Sequence, residues 1–380
     1  MINETFEGVL GKTPSYNTIG NWIKKYGLDV YNLSGKSFKD KAYAEVVDES
    51  MMIGSEKLLV TLAVPSAHQG RPLCHNDVSV LGMSVSTGWT GEGVNTQLKK
   101  AAEKVGHMPE YVISDNASTM SKGIRLCGFD QHRDISHSLG MHLERTYKQA
   151  SDFKAYLKHL SDVKFKYSMK KTAYLLPPTQ RTTARFINLS NWVKWSGKML
   201  EAYYTLSSEE KSIYSFIPAN ASLIDELLEV VRCMESIECI CKHHGFSKES
   251  SRQCQLQIRR NLTTGNHRMM RLGCNIIKFL NAEANMLESE NEVINNSSDI
   301  IESVFGTYKA RKSPNKLYGV TPFILFIPTY AQLFNNKNTK QFLFKERLER
   351  TRLKDIDLWT ENNLSQNLVM KRTQTLRKAG

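Results

Sequence analysis

Residues 93–118 read GVNTQLKKAAEKVGHMPEYVISDNAS, and their periodicity decides the fold class. Val94, Leu98, Ala101 and Val105 recur at helical spacing, Gly106 supplies the left-handed residue that closes a helix, and Tyr111-Val112-Ile113 is a short apolar strand leading into Ser114-Asp115. Working upstream, Ala42, Ala44, Val46 and Asp48 alternate with Tyr43, Glu45 and Val47 as a first strand. Leu58 to Val64 is a nearly continuous apolar second strand and Val78 to Val85 a third. Turn residues at Gly54-Ser55 and between Pro65 and Asp77 separate them. Downstream, a helix over 119–126 and a short fifth strand at Asp134-Ile135-Ser136-His137 complete the order βββαβαβ, an α/β arrangement. From there to about residue 297 the pattern is helical, with amphipathic stretches near 138–160, 182–205, 222–243, 248–260 and 266–284; a polar loop at 288–298 precedes one more helix at 299–312.

The N-terminal stretch PSYNTIGNWIKKY (14–26) predicts a short basic amphipathic helix that begins near Pro14, places Ile19, Trp22 and Ile23 on one face and stops at Gly27. Two readings stand for it: part of a helix-turn-helix, or a helix packed on the core.

The 380 residues are 41% hydrophobic, enough for a sizeable core, and 51 Lys+Arg against 38 Asp+Glu leave a net charge of +13, which favours a polyanionic partner. No stretch reaches the ~18 apolar residues a membrane span needs. The strongest, Phe323 to Ile327, is closed by Pro322 and Pro328 and reads as core. The first twelve residues lack the pattern of a secretion leader, and seven irregularly spaced Cys fit reduced thiols of a cytoplasmic protein. Cys233, Cys239 and Cys241 with His243 and His244 lack zinc-site spacing and read as thiols of a helix.

Asp48 ends the first strand and Asp115 the fourth, so a sheet that sets these strands side by side brings both carboxylates to one edge. Either Asp taken singly is more simply explained as a turn former. The third element is Asp299 to Lys309, DIIESVFGTYK, where Ile301, Val304, Phe305 and Tyr308 form the apolar face and Glu302 borders it. Three converging carboxylates repel one another unless a cation lies between them, and an all-oxygen set suits Mg²⁺ or Mn²⁺, two ions for phosphodiester chemistry.

With these residues in view, the sequence resembles the DDE transposases of bacterial insertion sequences. The stretch 93–118 is similar to that family's helix, glycine and strand leading to the second catalytic Asp; Asp48 in AEVVDES is similarly placed to the first, and Glu302 to the third acidic residue. Lys309 matches the Glu-x6-Lys spacing of the subgroup with a YREK signature, whose Tyr and Arg would fall at Asn295 and Ser298. The resemblance implies a ribonuclease-H-like mixed sheet followed by a final catalytic helix and interrupted by a large all-α insertion. The implied segments are 1–35 (partial helix-turn-helix), 40–140 and 297–335 (catalytic), 141–296 (insertion) and 336–380 (basic helical tail). It further implies catalytic, metal-holding roles for Asp48, Asp115 and Glu302, phosphate binding by Lys309, DNA as partner, a homodimer on DNA and a nucleoid-associated, cytoplasmic location. Two alternatives are an inactive or truncated transposase-derived DNA-binding protein and a nuclease of the same fold that cuts without strand transfer.

The helical region adds candidate DNA contacts. Lys164, Lys166, Lys170 and Lys171 accompany Phe165 and Tyr167, Arg181 and Arg185 precede Trp192, and Arg259, Arg260, His267, Arg268 and Arg271 form a later cluster. Cations at this density can neutralise phosphates and aromatics among them can stack on bases; a solvated helix face over core aromatics accounts for any one cluster as well. Asp134-x-x-His137 has the same two readings, a DNA-touching His137 or a strand-end turn with a cap.

Overall fold

The computed structural model describes residues 14–50, 52–179, 186, 189–312, 319–333, 344–365 and 368–378. They form two compact units, the first from residues 1–67, 73–132 and 298–380 and the second from 68–72 and 133–297.

Helix α1 spans Tyr16–Leu33, capped by Ser15, whose Oγ accepts the Thr18 amide at 3.2 Å. It does not stop at Gly27. A Cβ there would lie 1.8 Å from the Leu325 carbonyl oxygen, so this glycine marks a close crossing of two backbones inside the first unit. The second half of α1 is buried, as a packing helix requires.

Strands β1 (Tyr43–Glu49), β2 (Lys57–Pro65) and β3 (Ser79–Ser86) follow, then α2 (Gly91–Val105), β4 (Val112–Ser114), α3 (Ser118–Cys127) and β5 (Gln131–Arg133). The mixed sheet has the order β3-β2-β1-β4-β5. β1 is its centre, antiparallel to β2 and parallel to β4, with Glu45 opposite Val112 and Val46 opposite Ile113. α2 ends at Gly106, whose φ of 101° is the left-handed cap its position predicts. The odd-numbered face of β1 packs on α2 and α3: Val47 joins Val94, Leu98, Met120 and Ile124, while Tyr43 joins Ala101 and Val105. The fifth strand lies earlier than expected. Asp134 instead caps the next helix, accepting the His137 amide at 2.6 Å, because its side chain satisfies an N-terminal donor that a strand would lack.

The second unit is helical. It comprises α4 (Ile135–Tyr147), α5 (Ser151–Tyr167), α6 (Leu189–Ala202), α7 (Ser208–Ile213), α8 (Phe216–Ala219), α9 (Ala221–His244), α10 (Lys248–Asn261) and α11 (His267–Ala284). The single stretch expected at 138–160 is two helices, broken at 148–150. Glu226 of α9, nearly buried, joins four elements. It accepts from the Tyr147 hydroxyl at 2.7 Å, from Asn266 Nδ2 at 2.6 Å and from Arg268 Nε and Nη2 at 2.7 Å each, and Arg268 also grips Asp152 with two 3.0 Å bonds. Arg268, read above as part of a phosphate-contacting cluster, is thus committed inside the unit. All seven cysteines are free thiols.

The chain returns to the first unit with α12 (Asp299–Arg311), α13 (Ile327–Leu333), α14 (Phe344–Arg350), α15 (Leu353–Asn363) and α16 (Leu368–Lys378). The run at 322–326 is a 3₁₀ turn with Ile324 and Leu325 fully buried. Among the described residues no helix is long and apolar enough to cross a membrane.

Two predictions follow from buried charges. Glu45 is fully buried in β1 and, among the described residues, neither carboxylate oxygen has a hydrogen-bond partner; burial pushes its pKa up to about 8. A carboxyl protonated in the folded chain but ionised in the unfolded chain costs stability as pH rises from the unfolded value near 4.5 to about 8. Denaturant midpoints of Glu45→Gln against the parent should therefore show the variant gaining on the parent by a few kcal/mol between pH 5 and pH 8.5; a pH-independent difference would mean Glu45 does not titrate in that window. Arg268→Ala leaves Glu226 buried without its cation and should cost about 3–5 kcal/mol in the same measurement. Glu226→Gln, which strands no charge, should cost clearly less.

Candidate active site

Asp48 and Asp115 are brought together by the sheet. The β1–β4 register, continued two residues beyond the Val46–Ile113 pair, sets Asp115 level with Asp48 at the ends of neighbouring parallel strands. Alternation puts Asp48 on the face opposite Val47, away from α2 and α3. Both carboxylates are half-buried and anchored locally. Asp48 Oδ1 accepts the Glu49 amide at 2.8 Å, and Asp115 Oδ1 accepts the Ala117 amide at 3.0 Å, turning the chain from β4 into α3. Ser114 Oγ, beside Asp115, accepts from Gln131 Nε2 at 2.8 Å, which ties this strand end to β5.

Helix α12 packs against β1. Ile300, Ile301, Val304, Phe305 and Tyr308 are buried, and Tyr308 stacks on Phe323 with ring centroids 6.1 Å apart. That buried stripe fixes the rotation of the helix, and Glu302 emerges exposed at its border. Two turns on, Lys309 shares the Glu302 face. Its half-buried ammonium lies 5.6 Å from the Phe305 ring centroid. Burial holds its pKa below the usual lysine value, while Asp48 raises it, Lys312 lowers it and Glu302 raises it again. One cation thus senses a carboxylate on the central strand and another on the helix. Asp48, Glu302 and Lys309 therefore share one electrostatic neighbourhood, and the strand register adds Asp115.

The donor set is entirely carboxylate oxygen, the chemistry that hard divalent cations such as Mg²⁺ and Mn²⁺ take. Among the described residues no three His, Cys, Asp or Glu side chains already stand in ligating positions, so a shared cation would require the carboxylates to rearrange around it.

The remaining candidates lie in the second unit. Trp192 is 2% exposed, wedged among Phe153 and Tyr156 at 5.9 and 6.1 Å, so its ring is core and cannot stack on a base. Lys164 braces its own unit, donating to the Pro177 carbonyl at 3.2 Å and to Thr179 Oγ1 at 2.6 Å. Lys166, Lys170 and Lys171 are exposed. Arg181 and Arg185 lie outside the described residues. His137 Nδ1 sits 2.9 Å from Asp134 Oδ1, so the helix-capping carboxylate orients the imidazole. Asn295 and Ser298, where the signature Tyr and Arg would fall, are buried, and Asn295 Oδ1 meets His68 Nδ1 at 3.0 Å. Met169 and Tyr174 escaped the sequence reading, although both are exposed beside those lysines. The available signal was their position just beyond the apolar stripe of α5.

Neither a scan against protein-family models nor a search of curated proteins finds a match to the chain, so the functional reading rests on its own residues.

Proposed function

We propose that the chain is a DDE-type transposase with a ribonuclease-H-like catalytic core, cutting the ends of a mobile DNA element and joining the exposed 3′ hydroxyl to target DNA. The observation that carries this reading is the aspartate pair, Asp48 and Asp115, set level at the ends of neighbouring parallel strands, with Glu302 and Lys309 on one face of the helix that packs against β1. The sheet order β3-β2-β1-β4-β5, with β2 antiparallel to both β1 and β3 and β4 parallel to β1, suits the same reading.

Asp48, Asp115 and Glu302 would hold the divalent ions. When bound, such ions supply activation of the attacking oxygen and charge stabilisation on the leaving oxygen. Lys309 has a different task. A half-buried ammonium is screened less by solvent than a surface one, so it can fix a non-bridging phosphate oxygen of the bound strand beside the carboxylates. Water attack on the scissile phosphorus breaks the P–O3′ bond and leaves a 5′ phosphate and a 3′ hydroxyl. That hydroxyl then attacks a target phosphodiester in line, forming the new P–O bond as the old 3′ oxygen departs. The protein forms no covalent bond to DNA in either step.

Metal-dependent joining of a labelled terminal oligonucleotide tests the proposal. Asp48→Asn, Asp115→Asn and Glu302→Gln should each drop cleavage and joining to the uncatalysed background while circular dichroism and DNA affinity stay near the parent. Cutting without joining would instead identify a nuclease, and binding without either an inactive remnant; near-normal activity of any one variant removes that residue from the site. Lys309→Ala should weaken binding to pre-cleaved end DNA more than binding to random duplex at fixed salt, with Lys309→Arg recovering only part because a planar fork replaces a point charge. Equal losses on both DNAs would make Lys309 a nonspecific contact.

A further inference from the structure

At the end of α5 three large apolar side chains face solvent within ten residues: Phe165 is 87% exposed, Met169 98% and Tyr174 74%. A single exposed hydrophobe is ordinary, but a group of them needs a reason. The packing of α5 supplies none. Its core stripe is Phe153, Tyr156, Leu157, Leu160 and Val163, and Phe165 lies on the opposite side of the helix, so no interior position of the unit calls for a ring there. The same stretch carries exposed Lys166, Lys170 and Lys171, whose side chains make no hydrogen bond or ion pair among the described residues. Residues 154–171 hold six lysines against Asp162 as sole acid. The Tyr174 hydroxyl donates to Glu210 Oε1 at 2.5 Å, which steadies its ring while leaving most of its surface in solvent.

We propose that this surface, Phe165, Met169 and Tyr174 framed by Lys166, Lys170 and Lys171, binds unpaired nucleic-acid strands, the rings stacking on bases and the lysines tracking the phosphates. The inference rests on the nucleic-acid reading above and narrows it to single strands on the helical unit. The two halves of the surface call for one chemistry. Cations alone suit any polyanion, and duplex DNA hides its base faces in the stack; only a strand with free bases offers both phosphates and flat π surfaces. Anionic lipid also pairs charge with apolar matter, but it rewards depth of insertion, and Met169 is the single flexible aliphatic group here, beside two flat rings.

The 380-residue chain in EDTA, where no cleavage occurs, is titrated against a fluorescent 15-nucleotide oligothymidylate and a blunt duplex of equal length. Phe165→Ala with Tyr174→Ala should weaken oligothymidylate binding about tenfold or more and duplex binding little. Tyr174→Phe, which keeps the ring, should bind like the parent, whereas Phe165→Leu, apolar but not flat, should lose affinity. Replacing Lys166, Lys170 and Lys171 by Gln should weaken both ligands and reduce the salt slope by about 0.7 per lost contact on the single strand. Unchanged oligothymidylate binding by the double alanine variant, equal losses on both DNAs, or its loss of binding only to phosphatidylglycerol vesicles would each overturn the proposal. Single-strand binding without any joining by the parent protein would refute the catalytic reading alone, and joining without ring-dependent binding would refute this one alone.

Discussion

The candidate site depends on the pairing register of β1. This strand is hydrogen-bonded on both sides, and the pairs Glu45–Val112 and Val46–Ile113 determine which β4 residue stands beside Asp48. Side chains alternate along a strand, so a slip of one residue against β4 would move Asp115 off the level of Asp48 and present the wrong pleat. The register is held by burial. Tyr43 and Val47 must enter the layer under α2 and α3, and turning β1 over would exchange them for Ala44, Val46 and Asp48. The hydrophobic layer on one face of the sheet therefore positions a carboxylate on the other.

Burial explains the charged groups around this frame as well. Glu45 occupies the core face of β1 with no hydrogen-bond partner for its carboxyl among the described residues, and Lys104 on α2 is buried enough to bring its pKa down to about 7, although its ammonium donates to the Leu81 carbonyl at 3.2 Å and sits over the Tyr31 ring. Lys309 differs in kind. Burial lowers its pKa too, but carboxylates from two different elements, Asp48 and Glu302, act against that lowering. Among the three, only Lys309 combines partial exposure with opposite charges, the balance a phosphate contact needs.

Much of this was legible in the sequence because it is local. The α2 stripe and its Gly106 cap, the three upstream strands and the Glu302-bearing helix follow from periodicities within a dozen residues. The level pairing of Asp48 with Asp115 was legible as soon as the two strands were taken as neighbours. Features that depend on a partner distant in sequence were not. Gly27 looks like a helix stop unless the Leu325 backbone is known to cross it, and Arg268 looks like a free cation unless Glu226 and Asp152 are known to face it. Trp192 fell to the same difficulty: a tryptophan between basic residues reads as a stacking platform, yet its neighbours Phe153 and Tyr156 come from another helix. The fifth strand was misplaced by three residues because Asp134 is a good turn former in either role, and only the His137 amide at 2.6 Å selects the cap.

A net charge of +13 therefore says less about polyanion binding than the distribution of ion pairs does. In the helical unit Arg268 is spent on Glu226 and Asp152, Lys194 meets Glu235 at 2.5 Å, Lys148 meets Glu144 at 2.6 Å, and Arg252 reaches Glu290 at 2.8 Å. Exposed pairs of this kind add little stability, but each cancels a charge that a phosphate would otherwise sense. Lys166, Lys170 and Lys171 carry no such pair among the described residues, and the exposed rings lie in the same stretch of chain. Lys164 shows the distinction within a single turn of helix: it has the same charge as its neighbours, but its ammonium is already bound to Pro177 and Thr179. Charge that is uncompensated, exposed and adjacent to π surface, not charge as such, singles out this end of α5 from the other basic stretches of the chain.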